Sequence, residues 1–126
     1  MKTAKEIYGD EPRYWADYQP MLDEFGNIVL QCDEDNYQGD SFIIYEKDGK
    51  YGCLTFGWGS CSGCDALQGC DTIDEVQELM DDLHSDIIWF ESLEALKGFF
   101  EAKDWSLCYE WHIDEFKEFI KRVAEL

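Results

Sequence analysis

The sequence predicts an α+β fold: a single acidic domain, residues 1–126, with a mixed or antiparallel sheet covered by three helices. Three observations carry that expectation. Residues 41–56 hold two strand-like runs around an Asp-Gly turn, and further strand signals lie near 27–32, 86–90 and 105–111. Three longer segments repeat apolar residues at helical spacing behind Ser, Thr or acidic residues. Finally, 45% hydrophobic and 16% aromatic residues supply a core that a disordered acidic tail would lack.

Along the chain, Tyr14, Trp15, Tyr18 and Leu22 follow Pro12 at helical spacing, but Gly9 and Pro20 restrict residues 8–24 to a broken or partial helix. Residues 27–32 read as a short strand. The runs 41–45 and 50–56 form a hairpin whose turn, Lys47-Asp48-Gly49, supplies the positive φ that tight turns require. Thr72 and Glu75 stand at capping-box spacing before a helix that buries Ile73, Val76, Leu79 or Met80, and Leu83. Residues 86–90 follow as a strand. A helix capped by Ser92 then turns Leu93, Leu96, Phe99 and Phe100 inward. The alternation from Trp105 to Trp111 predicts a last strand, and Ile113, Phe116, Phe119 or Ile120, and Val123 mark a closing helix.

Charge narrows the function classes. With 29 acidic and 10 basic residues the chain stands at −19. Over a folded surface of roughly 7,000 Å² this is one net negative charge per about 370 Å², dense enough to exclude direct nucleic-acid binding and anionic membranes. No Lys or Arg occurs in residues 14–46 or 51–96, so the fold must present a surface of nearly pure negative charge. The first residues, MKTAKEIYGDEPRYW, contain no apolar run of signal-peptide length, and no later run reaches membrane-span length. A cytoplasmic protein is therefore the expectation.

The most heavily charged element is the helix that begins near Thr72. Asp71, Asp74, Glu75, Glu78, Asp81 and Asp82 place a carboxylate about every 3 Å of axis, close to the charge spacing along one DNA strand. Like-charge pairs four residues apart work against the helix by a few tenths of a kcal/mol each, an arrangement that folding alone does not require. These six residues are the candidate partner-binding set, and a basic protein surface, such as a nucleic-acid-binding enzyme, is the candidate partner.

The loop from Tyr51 to Cys70 suggests other chemistry. Cys61 and Cys64 form a C-x2-C pair, and with Cys53 and Cys70 they number the four thiolates of a tetrahedral zinc site. The outer spacings match no standard module, so the primary expectation is no cofactor, with zinc on those four cysteines as the alternative. Thiol redox chemistry through Cys61 is disfavoured by acidic surroundings that raise a thiol pKa. Gly59-Ser-Cys61-Ser-Gly63 fits a nucleophile elbow, but that elbow belongs to much larger hydrolases. The glycines at 57, 59 and 63 miss the dinucleotide-binding spacing by one. Asp33 to Asp40 imitates a calcium loop, yet its glycine falls at the seventh position and Ile44 stands at the twelfth. His84 and His112 have no catalytic partner that spacing alone can place.

The block Phe56-Gly-Trp-Gly-Ser-Cys-Ser-Gly-Cys-Asp-Ala-Leu-Gln68 resembles one in small bacterial and phage proteins that carry no assigned activity. The resemblance covers the middle and C-terminal parts of the chain and implies a bacterial or phage setting. In composition the chain also resembles acidic anti-restriction and anti-CRISPR inhibitors, which occupy nucleic-acid sites on host defence enzymes. Together these readings lead to a non-enzymatic acidic binding protein, a nucleic-acid mimic directed at a basic DNA- or RNA-handling enzyme. The alternatives are a small zinc or redox domain on the cysteine loop, and an acidic immunity or accessory protein.

Overall fold

The computed structural model describes residues 1–10, 15–35, 38–59 and 65–126. Its elements are α1 (Ala4–Tyr8), α2 (Gln19–Glu24), β1 (Asn27–Asp33), β2 (Gly39–Lys47), β3 (Lys50–Trp58), α3 (Ile73–Ser85), β4 (Ile88–Phe90), α4 (Leu93–Ala102) and α5 (Asp114–Ala124). The strands form one antiparallel sheet in the order β1-β2-β3-β4. The α+β class thus holds, with α3, α4 and α5 as its principal helices and the short α1 and α2 in addition.

Antiparallel sheets commonly leave one face wet. Here both are covered. Five successive β2 residues, Ser41 to Tyr45, are buried. Ile43 and Tyr45, with Leu54 of β3, face a cluster containing Ala4, Trp15, Met21, Phe25, Val76, Met80 and Leu83. Phe42 and Ile44 face the opposite cluster, with Leu30, Leu96, Phe100, Phe116, Phe119 and Val123. The sheet therefore separates an α1–α2–α3 layer from an α4–α5 layer.

Strand β1 serves both clusters because its register shifts. Ile28 lies opposite Tyr45, whereas Leu30 lies opposite Ile44, with Val29 left as the extra residue and 41% exposed. A bulge of this kind reverses which side chains point to which face. The hairpin forms at the expected turn. Asp48 and Gly49 take φ of 53° and 83°, the two left-handed residues of a tight hairpin turn, and the Gly49 amide donates to Glu46 Oε1 at 3.0 Å.

The N-terminal segment divides as Gly9 and Pro20 suggest. A capping box between Thr3 and Glu6 starts α1, Gly9 at φ 74° ends it, and Asp17 Oδ1 accepts from the Gln19 amide at 2.9 Å where α2 begins. Tyr14 lies outside the described residues.

One expected strand is corrected. Residues 105–111 form two 3-10 turns, Trp105–Leu107 and Tyr109–His112. Asp104 accepts from the Ser106 amide at 3.1 Å and so holds the first turn, while Trp105 Nε1 donates to the Phe100 carbonyl at 2.8 Å near the end of α4. Leu107 and Tyr109, one side of the expected alternation, are 84% and 80% exposed. An aromatic alternation becomes a strand only when a neighbour pairs with it, and here local capping wins.

Gly52 lies between Tyr45 and Trp89 in adjacent strands. A Cβ at this position would sit 2.7 Å from Ile87 Cγ2 and 2.8 Å from Trp89 Cε3. Gly52→Ala is therefore expected to lower stability by about 1–3 kcal/mol through overpacking. Denaturant unfolding checks this, and an unchanged midpoint would contradict the close approach of Trp89 to β3.

Candidate functional site

Helix α3 sorts its residues sharply. Thr72, with φ −131°, caps it by accepting from the Glu75 amide at 3.2 Å. Val76, Met80 and Leu83 are buried, while Asp74, Glu75, Glu78, Asp81 and Asp82 are exposed. At about 100° per residue those five carboxylates fall within an arc of about 120° and span about 12 Å of axis. Asp71 is also exposed but precedes the cap in non-helical chain, so it leads into the row without belonging to the helix. The helical like-charge pairs are accordingly Asp74 with Glu78 and Glu78 with Asp82.

Among the described residues the ion pairs are Lys5 with Asp10 and Lys50 with Glu91, and neither reaches this face. Gln77 Nε2 donates to Asp81 Oδ1 at 2.9 Å, a neutral contact that leaves the charge in place. The contrast with α5 is informative. There Asp114, Glu115 and Glu118 are balanced by Lys117, Lys121 and Arg122, giving 3 − 3 = 0, whereas α3 carries five acids and no Lys or Arg. Two helices on opposite sheet faces thus have different electrostatic character.

The two described cysteines of the zinc alternative, Cys53 and Cys70, are not brought together. Cys53 on β3 packs with the α4–α5 cluster, and Cys70 packs with the α1–α3 cluster. They lie on opposite faces of the sheet, and a metal at one does not reach the other. Cys61 and Cys64 lie outside the described residues, as does the nucleophile-elbow run beyond Gly59. Burial pushes the Cys53 thiol up to about 12. The Cys70 thiol is raised by burial first and then by the nearby carboxylates of Glu75 and Asp65. Among the described residues no group of three or more His, Cys, Asp or Glu is placed to hold a metal ion.

The calcium-like loop closes on itself. Glu34 Oε2 accepts from the Asp40 amide at 2.6 Å, and the Glu34 amide donates to the Asp40 carbonyl at 3.1 Å. His84 packs its ring 5.1 Å from that of Phe25, and His112 Nδ1 contacts the Tyr109 carbonyl.

The strongest feature of the cysteine loop is Asp65, which sequence reasoning passed over. It is only 3% exposed, yet its Oδ1 accepts from Tyr18 Oη at 2.9 Å and the Gly59 amide at 3.0 Å, and its Oδ2 accepts from the Gln68 amide at 3.0 Å. The Leu67 amide donates in turn to Tyr18 Oη at 3.1 Å. Burial, then the Asp65 carboxylate, raises the Tyr18 hydroxyl well above its ordinary value, which keeps it protonated and donating. One buried carboxylate thereby ties α2, the end of β3 and the loop together. The signal in the sequence was Asp65-Ala-Leu-Gln68, an Asp positioned to cap the turn that follows it.

No helix among the described residues is long and apolar enough to cross a membrane. Comparison of the chain with protein-family models, with curated proteins and with solved structures finds no match.

A thiol raised from 9.0 to about 12 carries about 10³-fold less thiolate at pH 8, and thiolate is the reactive form. Cys53 is therefore expected to resist iodoacetamide in the folded protein at pH 8 and to react once the protein is unfolded. Peptide mass mapping checks this; rapid native labelling of Cys53 would contradict its placement.

Proposed function

We propose that this protein is a non-enzymatic acidic binder whose α3 face docks on a basic protein surface, acting as a nucleic-acid mimic that occupies a DNA- or RNA-handling enzyme. A single observation carries the reading: five carboxylates stand exposed on one arc of α3 without a cationic partner among the described residues. The core does not need them. The buried residues of α3 lie on its other side, and the like-charge pairs oppose the helix.

Such a row acts by long-range attraction and counter-charge, not by proton transfer. Its effect on association is greatest at low ionic strength, because a Debye length of about 8–10 Å near physiological salt screens exposed charges from afar. A host defence enzyme is the proposed partner class, supported by the bacterial or phage setting that the Phe56–Gln68 block implies.

Affinity capture on the immobilised protein, followed by competition with duplex DNA, tests the reading. Binding should weaken steeply between low and high salt, DNA should compete for the captured enzyme, and the combined Glu75→Gln, Glu78→Gln, Asp82→Asn variant should bind at least about tenfold more weakly. Salt-insensitive capture, indifferent to that variant, would refute it. Glu78→Gln alone removes both helical like-charge pairs and is expected to raise stability by about 0.5–1 kcal/mol while weakening binding. Thermal unfolding beside a binding titration checks both signs.

A further inference from the structure

A groove of about 320 Å³ opens on the same sheet face as α3, between α2 and the ends of β1, β2 and β3. Its walls include Tyr18, Phe56 and Trp58, and Asp17, Asp33 and Glu34 also line it. No Lys or Arg contributes to the described lining. The volume is at the lower end for ligand sites, suited to one extended side chain more than to a large cofactor.

The aromatic walls are fixed from behind by buried polar groups. Tyr18 is held by Asp65, and its ring stands 5.0 Å from that of Phe56. Trp58 Nε1 donates at 2.9 Å to the Ser41 hydroxyl, a residue only 4% exposed. Gly59, next in the chain, is anchored by its amide to Asp65. These contacts leave the ring faces as apolar surface and use the indole N–H internally, so Trp58 has no donor left for a ligand. The walls thus exist before any ligand arrives, which reduces the ordering cost of binding.

The chemistry of the lining selects the ligand. Three carboxylates repel an anion, and their presence makes a purely apolar ligand a poor occupant. A cation carried on an apolar stem satisfies both halves, because aromatic faces attract ammonium and guanidinium groups and also cover the methylenes. We infer that the groove between α2 and the β1–β3 strand ends is a binding site for an arginine or lysine side chain of a protein partner. The inference rests on the proposed acidic-binder function for the source of that side chain; the groove itself uses none of the α3 carboxylates.

Titration of ¹⁵N-labelled protein with N-acetyl-arginine N-methylamide, read at the Trp58 indole N–H and, in every variant, at the backbone amides of Gln31 and Gly59 in the groove lining, tests the site. Saturable movement with a dissociation constant of about 0.1–10 mM is expected for a ligand of this size, and the lysine derivative should do the same. The neutral citrulline derivative should leave the resonance unmoved. Asp33→Asn, at an exposed position, should weaken binding threefold or more; Trp58→Leu should do likewise, and Trp58→Phe should retain binding. The α3 triple variant should bind the probe as the parent does. Absence of saturation, equal response to citrulline, or loss of binding in the α3 variant alone would overturn the site. Tighter binding of putrescine than of the arginine derivative would overturn the assignment to a protein side chain. Probe binding that persists when salt-dependent capture fails refutes the α3 reading and leaves the groove; capture without probe binding does the reverse.

Discussion

Strand β2 is the member on which the rest of the structure depends, because its side chains enter both apolar clusters. Phe42 and Ile44 anchor one helix layer, Ile43 and Tyr45 the other. Each such burial contributes about 1.5–3 kcal/mol, so the strand links two cores that its own sheet keeps apart. Tyr45 adds a directional tie, its hydroxyl donating to the Leu22 carbonyl at 2.8 Å and holding α2 against the sheet. Burial alone has no direction, and hydrogen bonds of this kind select one arrangement of the layers.

The charge is distributed in relation to those layers. On the α4–α5 side, three acidic and three basic residues are interspersed along α5 and cancel. On the α1–α3 side, α3 carries its acids unbalanced. A value of −19 spread evenly would serve solubility and little else. Five of the 29 acidic residues stand on α3 with no Lys or Arg in that helix, and the carboxylates of a groove on the same sheet face add to the negative charge of that side.

Asp65 shows how the fold supports that side. Burying a carboxylate is costly unless donors compensate, and here the Tyr18 hydroxyl and two backbone amides do so. The residues it organises, Tyr18 and Gly59, border the groove. The buried carboxylate therefore places the Tyr18 ring and the loop backbone without itself lining the groove.

The sequence by itself determined what depends on a few neighbouring residues. The caps at Thr72 and Ser92, the Asp48-Gly49 turn, the inward stripes of α3 and α5, the burial of Leu96 and Phe100 on α4, and the exposed acids of α3 all follow from spacing and local hydrogen bonding, whereas Phe99, expected in the inward stripe of α4, is 41% exposed. Tertiary structure decided which face each strand presents. The bulge at Val29 sends Ile28 and Leu30 to different clusters, Cys53 and Cys70 to which spacing assigned one site end on opposite sides of the sheet, and Trp105 to Trp111 turn instead of pairing. Asp65 meets Tyr18 across 47 residues of chain. The physical reason is common to these cases: a one-residue change of strand phase, or the lack of a pairing neighbour, costs little locally and is settled by burial between residues distant in the chain.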